Sequence, residues 1–168
     1  MGFLSTPAEV DTNTPLIVNL HGGPWIADPG FDNPVNNWFA ERGYAVLGIN
    51  FRGSYGEGEK FLNKGNQQWA LRIIDDIEEC LAHTLKHFSL NNAKVFLMGR
   101  SFGGYAALQT AIRLKEKVAG VISIYGPANI SELLASMPTE WSGTAESIAQ
   151  RVGAVSYTHL TLPTTLSV

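Results

Sequence analysis

Gly99-Arg100-Ser101-Phe102-Gly103 sets a serine between two glycines at the junction of two different periodicities. Val95 to Met98 is a short apolar run with strand character, and the residues from Phe102 onward carry a helical pattern. A strand that enters a helix through G-x-S-x-G makes a nucleophile elbow. The turn is so sharp that side chains two before and two after the serine would collide, which is why both positions are glycine. Ser101 is thereby lifted off the end of the sheet. The backbone N–H of Phe102, at the start of the following helix, points where a tetrahedral oxyanion would form. The competing reading is a glycine-rich turn with an incidental serine.

In chain order, strand and helix alternate around this elbow. Leu16 to Leu20 reads as an apolar strand after the turn-rich Asp11-Thr12-Asn13-Thr14-Pro15. Pro34 to Arg42 reads as a helix, with Val35, Trp38 and Phe39 on one face and Gly43 as its stop. Tyr44 to Ile49 is the next strand, followed by a polar, glycine-rich loop from Asn50 to about Gly65. A long helix is expected from Gln68 to Phe88, its core-facing stripe formed by Trp69, Ile73, Ile77, Leu81, Leu85 and Phe88. The strand 95–98, the elbow and a helix from Phe102 to about Leu114 come next. Val118 to Tyr125 is so evenly apolar that it reads as a parallel strand covered on both faces. This order implies a parallel sheet with right-handed crossover helices; with the G-x-S-x-G elbow, it reads as an α/β-hydrolase fold. Nothing after Tyr125 reads as the two strands that would close such a sheet.

Composition narrows the function classes. A length of 168 residues suits one domain with a buried core. The net charge of −3 gives no electrostatic reason to expect nucleic acid or an anionic membrane as partner. No apolar run reaches membrane-spanning length, and the N-terminal residues lack the basic and apolar regions of a signal peptide, so a cytoplasmic location is expected. Gly2 invites an N-myristoylation reading, set aside because a bulky Phe3 follows and no second anchor appears. The single cysteine, Cys80, excludes an internal disulfide and is expected to be a small buried hydrophobe.

Two upstream segments add chemistry. His21-Gly22-Gly23-Pro24 follows the first strand, where a glycine pair lets the backbone approach a substrate and turn an N–H toward the serine. Alone it reads as a simple turn; beside the elbow it reads as the second half of an oxyanion hole. The other segment runs from Asn50 to Gly58. Its glycines follow G-x-x-G-x-G, the reverse of the dinucleotide spacing, and a long polar loop replaces the strand-to-helix turn, so nucleotide binding is rejected.

NLHGGPW, then GYAVLGINFRGSYGEGEKF, then QQW…DD, then GRSFGGY: this series resembles the catalytic domain of the prolyl oligopeptidase family of serine peptidases, above all its acylaminoacyl-peptidase and dipeptidyl-peptidase-like members. The likeness covers Leu16 to Pro127. It implies Ser101 as the nucleophile, the N–H of Phe102 as one oxyanion donor and the Gly22–Gly23 segment as the source of the other. It also implies that Arg52 and its loop, with His21 and Tyr105, shape the substrate pocket. Phe102 stands where members often carry tyrosine. His21 stands where other branches place an oxyanion tyrosine, which leaves the donor to the backbone or to His21 itself. Family members also carry an N-terminal β-propeller that filters substrates by size, and no such region is present in this sequence.

Downstream the family pattern stops. The acid and base of such a hydrolase follow the serine in chain order. After Ser101 there is no aspartate; the only acids are Glu116, Glu132, Glu140 and Glu146, and the only histidine is His159. From Val155 the sequence VSYTHLTLPTTLSV is rich in Ser and Thr with no helical period. It resembles the translation of a transposase-type sequencing adapter, the alternative being a genuine Thr-rich loop or edge strand. The expected division is therefore a partial hydrolase domain over 1–154 and a non-native tail over 155–168, with His159 not a catalytic base.

Other suggestive residues weigh less. Glu79, His83 and His87 recur at four-residue spacing on the long helix, but no third partner is implied elsewhere, so a solvated face is expected and no metal. Asp75 and Asp76 point about 100° apart on a helix and cannot share a proton, so they read as structural or solvated. Tyr105 and Trp69 also have a packing reading.

The expectation is a serine-type peptidase, cofactor-free, acting on a peptide or acylaminoacyl substrate through an acyl-enzyme. This chain would itself be inactive for want of the triad acid and base, and prone to aggregate along Val118–Tyr125. The alternatives are a carboxylesterase or lipase-like hydrolase, or a noncatalytic fragment. Oligomeric state and substrate preference are not legible.

Overall fold

The computed structural model describes residues 1–90 and 93–152. Five strands form one sheet in the order β1-β3-β2-β4-β5. They are β1 (Gly2–Ser5), β2 (Leu16–Leu20), β3 (Ala45–Ile49), β4 (Val95–Arg100) and β5 (Val118–Ile124). The helices between and after them are α1 (Pro34–Ala40), α2 (Glu59–Asn63), α3 (Arg72–His87), α4 (Phe102–Leu114), α5 (Ile130–Ser136) and α6 (Ser142–Val152). Strands β2 to β5 pair in parallel, as the alternating pattern predicts, and β1 runs antiparallel to β3. No helix among the described residues is long and apolar enough to cross a membrane.

The sheet's two faces are sorted by the period of two along each strand. Leu16, Val18 and Leu20 of β2, with Leu47 and Ile49 of β3 and Leu97 of β4, pack with Ile73, Ile77 and Leu81 of α3 and with Ala106 and Ala107 of α4. Each fully buried isoleucine of that stripe contributes about 1.5–3 kcal/mol. The opposite face is thinner, with Ile17, Val46 and Met98 under Phe39 and Tyr44.

Four expectations need correction. The strand β1 was not foreseen, because four residues at a chain terminus carry too short a pattern; its pairing from Gly2↔Ile49 to Ser5↔Val46 defines it. The helix α3 starts at Arg72, leaving the buried Trp69 in the turn before it, and Phe88 lies half-exposed beyond its end. In α1, capped by the Asn33 side chain on the Val35 and Asn36 amides, the buried face carries Asn36 rather than Val35 and Trp38. Asn36 accepts from Asn19 Nδ2 at 2.7 Å, which turns the two apolar residues outward. Finally, β5 is not covered on both faces: it lies at the sheet edge among the described residues, and Ile122 is 52% exposed. Continuous apolarity cannot distinguish a covered strand from one whose cover is elsewhere.

The elbow helix is wedged between two strand ends. A methyl group on Gly103 would lie 1.9 Å from the Leu20 carbonyl oxygen, and one on Gly104 2.9 Å from Gly126 Cα. The glycine pair is what lets α4 enter the sheet so closely. After β5 the described chain contains α5 and α6 and no further strand.

Candidate active site

Ser101 sits between β4 and α4 with φ 55° and ψ −121°, a conformation that L-residues rarely adopt and that costs on the order of 1–3 kcal/mol. Its side chain is exposed. Its N–H donates to the Ile124 carbonyl at 2.9 Å, and its carbonyl accepts from Tyr105 N–H at 3.1 Å, so the backbone on both sides is held. A methyl on Gly99 would lie 2.2 Å from the Gly103 carbonyl carbon, the collision expected from the sequence.

Register brings the second segment to the serine. Leu20 pairs with Gly99 across β2 and β4, so the residues after Leu20 emerge level with the elbow. A methyl on Gly22 would lie 3.2 Å from the Arg100 carbonyl oxygen and 3.6 Å from Ser101 Cβ. Gly23 has φ 107°, which favours glycine there. No described residue accepts from the N–H of Gly23 or from that of Phe102.

His21 is engaged at both ring nitrogens. Nδ1 lies 2.8 Å from the Gly22 carbonyl oxygen and Nε2 2.8 Å from Ser54 Oγ, while the ring stacks on Phe51 at 4.3 Å. A carbonyl can only accept, so Nδ1 carries the proton and donates. Within one trans peptide unit the C=O and N–H point in opposite directions, so fixing the Gly22 carbonyl on His21 turns the Gly23 N–H away from the ring. Burial pushes the imidazole below its ordinary value of 6.5; the Gly22 hydrogen bond and the Asp28 charge pull weakly the other way. With the ring neutral, Nε2 is an acceptor that shares the single Ser54 hydroxyl proton with the Phe51 carbonyl oxygen, 2.7 Å from Ser54 Oγ.

The remaining predicted residues divide. Arg52 is bound to Asp76: its backbone N–H donates to Oδ2 at 2.9 Å, its Nε to the same oxygen at 2.8 Å, and Nη2 pairs with Oδ1. It lines a cleft with Phe61, Lys64, Gln68 and Arg72. Tyr105 is only 2% exposed and packs near Phe102, so the structure places it in the core rather than on a surface that a substrate can touch. Trp69 likewise packs edge-on against Phe102 at 4.8 Å. Asp75 faces Arg113 at 2.8 Å. His83 and His87 stack on each other at 4.3 Å on the exposed face of α3, and no group of three metal-ligating side chains occurs among the described residues. His159 and the boundary at 154/155 lie outside the described residues.

Sequence reasoning missed the lacing between the loop after β2 and the loop after β3. Asp28 N–H donates to Asn50 Oδ1 at 2.8 Å, Asn50 Nδ2 to the Asp28 carbonyl at 3.3 Å, and Tyr55 N–H to the Ile26 carbonyl at 3.2 Å. Such cross-loop bonds leave no periodic trace.

Comparison with known proteins gives the family and the fold. The family model described as "Prolyl oligopeptidase family" matches residues 29–160. The chain is 37% identical over 161 residues to dipeptidyl aminopeptidase BIII of Pseudoxanthomonas mexicana, covering 91% of this chain and 23% of that protein. It is 35% identical over 139 residues to dipeptidyl peptidase family member 6 of Caenorhabditis elegans, covering 83% of this chain and 19% of that protein. The acylaminoacyl peptidase of Pyrococcus horikoshii superposes with a TM-score of 0.76 at 22% identity, over 90% of this chain and 24% of that one. The chain thus spans only about a fifth to a quarter of these two relatives. The likeness to the solved structure establishes the α/β-hydrolase fold.

Proposed function

The chain belongs to the prolyl oligopeptidase family, and from that premise we propose that it is the elbow-bearing part of a serine peptidase catalytic domain. The reaction is acyl transfer. Ser101 Oγ attacks the carbonyl carbon of a peptide or acylaminoacyl bond, its proton passing to a general base. The carbonyl oxygen, now negative, is held by the Phe102 and Gly23 amides. The amine leaves with a proton, and water then attacks the Ser101 ester and releases the acyl group. His21, with both nitrogens occupied, orients the Gly22–Gly23 peptide instead of donating to the oxyanion. Arg52 positions the neighbouring loop through Asp76.

The observation that carries this reading is the exposed Ser101 at positive φ, with Gly22 packed against its Cβ and the Phe102 and Gly23 amides without a described acceptor. In this reading the described residues do not supply the triad acid and base, and a polypeptide that lacks them is inactive, since removing the base in a comparable serine protease costs about 10⁶ in turnover.

Substrate class is tested by comparing turnover of an aminoacyl-anilide with that of a p-nitrophenyl ester by the complete gene product. Hydrolysis of both, abolished in Ser101→Ala, is expected of a peptidase. Turnover of the ester alone would contradict it and favour a carboxylesterase.

A further inference from the structure

Ile26 is 53% exposed although it is a large aliphatic residue two positions beyond the Gly23–Pro24 bond. Its side chain folds back over the glycine pair. A methyl on Gly23 would lie 2.8 Å from Ile26 Cγ1, and one on Gly22 3.7 Å from Ile26 Cδ1. The same methyl on Gly22 would touch Ser101 Cβ at 3.6 Å, so the isoleucine and the serine converge on one point of the backbone. The isoleucine does not reach this place by chance flexibility. Its carbonyl accepts the Tyr55 N–H at 3.2 Å, and the flanking Asp28 is bonded to Asn50 from both directions. Tyr55, joined to Ile26 by that backbone bond, is itself 71% exposed. An aliphatic side chain is therefore held on a laced pair of loops at the rim of the site, where exposing it costs solvation and gains nothing inside the fold.

Resting on the proposed serine peptidase reading, we infer that Ile26, its backbone held by the Tyr55 amide, is a specificity-determining contact for an apolar side chain next to the scissile bond. A carbonyl oxygen seated on the Gly23 amide has its neighbouring substituent against Ile26 Cγ1 and Cδ1. An aliphatic or aromatic group there removes apolar surface from water on both partners, whereas a small or polar group gains nothing. Part of a hydrophobic contact of this kind discriminates by about tenfold, the lower end of what one or two methylene groups supply.

The test uses the complete gene product carrying Ile26→Ala, Ile26→Gln or Ile26→Leu. Two substrate series are compared: anilides with leucyl, phenylalanyl, glycyl or seryl acyl groups, and peptides in which the leaving residue varies in the same way. The expected result is a roughly tenfold fall in the apolar-over-small ratio of kcat/KM in one series for Ala and Gln. Leu should keep the parent ratio, and turnover of glycyl substrates should be unchanged. The series that responds identifies the side of the bond. Equal factors for every substrate in both series would overturn the inference while leaving the peptidase reading intact. A parent protein that hydrolyses neither series would overturn both. Because the side chain is half in solvent, all three variants are expected to keep the parent unfolding midpoint, and Ala and Gln each give the readout alone should the other fail to fold.

Discussion

The Nε2 of His21 lies 2.8 Å from Ser54 Oγ, and this contact ties the strand end facing Ser101 to the loop that follows β3. The opposite nitrogen holds the Gly22 carbonyl. One side chain thus couples the two segments that border the elbow, and its charge state matters to both.

Burial depresses the His21 imidazole below 6.5. As pH falls through the window below that value, the unfolded chain takes up the proton before the folded one, and stability falls with it. Above 6.5 the contribution is complete. His21→Phe keeps an aromatic ring on Phe51 but loses both hydrogen bonds, so a loss of about 2 kcal/mol is expected near neutral pH. Chemical denaturation at a series of pH values should show that the variant's stability declines less steeply below 6.5 than the parent's. Parallel curves would contradict the assignment.

Ser101 at φ 55° is strained in a way that glycine is not. Ser101→Gly is expected to raise stability by about 1 kcal/mol, whereas Ser101→Ala retains the strain and should not. Urea denaturation of the three proteins distinguishes them, and an equal stability of the glycine and alanine variants would remove the argument for a strained elbow.

Gly103 has no room for a side chain. With the Leu20 carbonyl oxygen 1.9 Å from an added methyl, Gly103→Ala forces α4 away from β2. A loss of about 3 kcal/mol or more is expected, because the obstacle is backbone and cannot rotate away. A thermal midpoint within a degree or so of the parent would show that the helix does not enter the sheet so closely.

Asp76 accepts from the Arg52 backbone and guanidinium together. Asp76→Ala leaves a half-buried arginine and a loop amide without their acceptor, and about 2 kcal/mol of destabilisation is expected. The same substitution at Asp75, which meets Arg113 nearer the surface, should cost less than 1 kcal/mol. Denaturant midpoints that rank the two the other way would contradict these roles.

What could be read from the residues alone was local chemistry and period. The elbow, its two glycines and the helix from Phe102 to Leu114 follow from spacing, and the structure places them there. The four strands from β2 to β5 follow from apolar runs, but β1 does not, since its identity rests on pairing with β3 rather than on its own four residues. Tyr105 and Arg52 show the limit for the site. Both lie near catalytic motifs in sequence, yet Tyr105 turns into the core and Arg52 is bound to Asp76, because helix phase and a partner 24 residues away decide where each side chain goes. The Ile26–Tyr55 bond and the Asp28–Asn50 pair are invisible for the same reason: they join two loops whose lengths carry no period.

The most direct measurement is treatment of the complete gene product with a fluorophosphonate, followed by mass-spectrometric mapping of the adduct, alongside the present 168-residue chain. A single adduct on Ser101 in the complete protein, lost in Ser101→Ala and missing from the short chain, is the predicted result. An adduct on another residue, none on the complete protein, or rapid labelling of the short chain would contradict a serine whose proton-transfer partners the 168-residue chain does not supply.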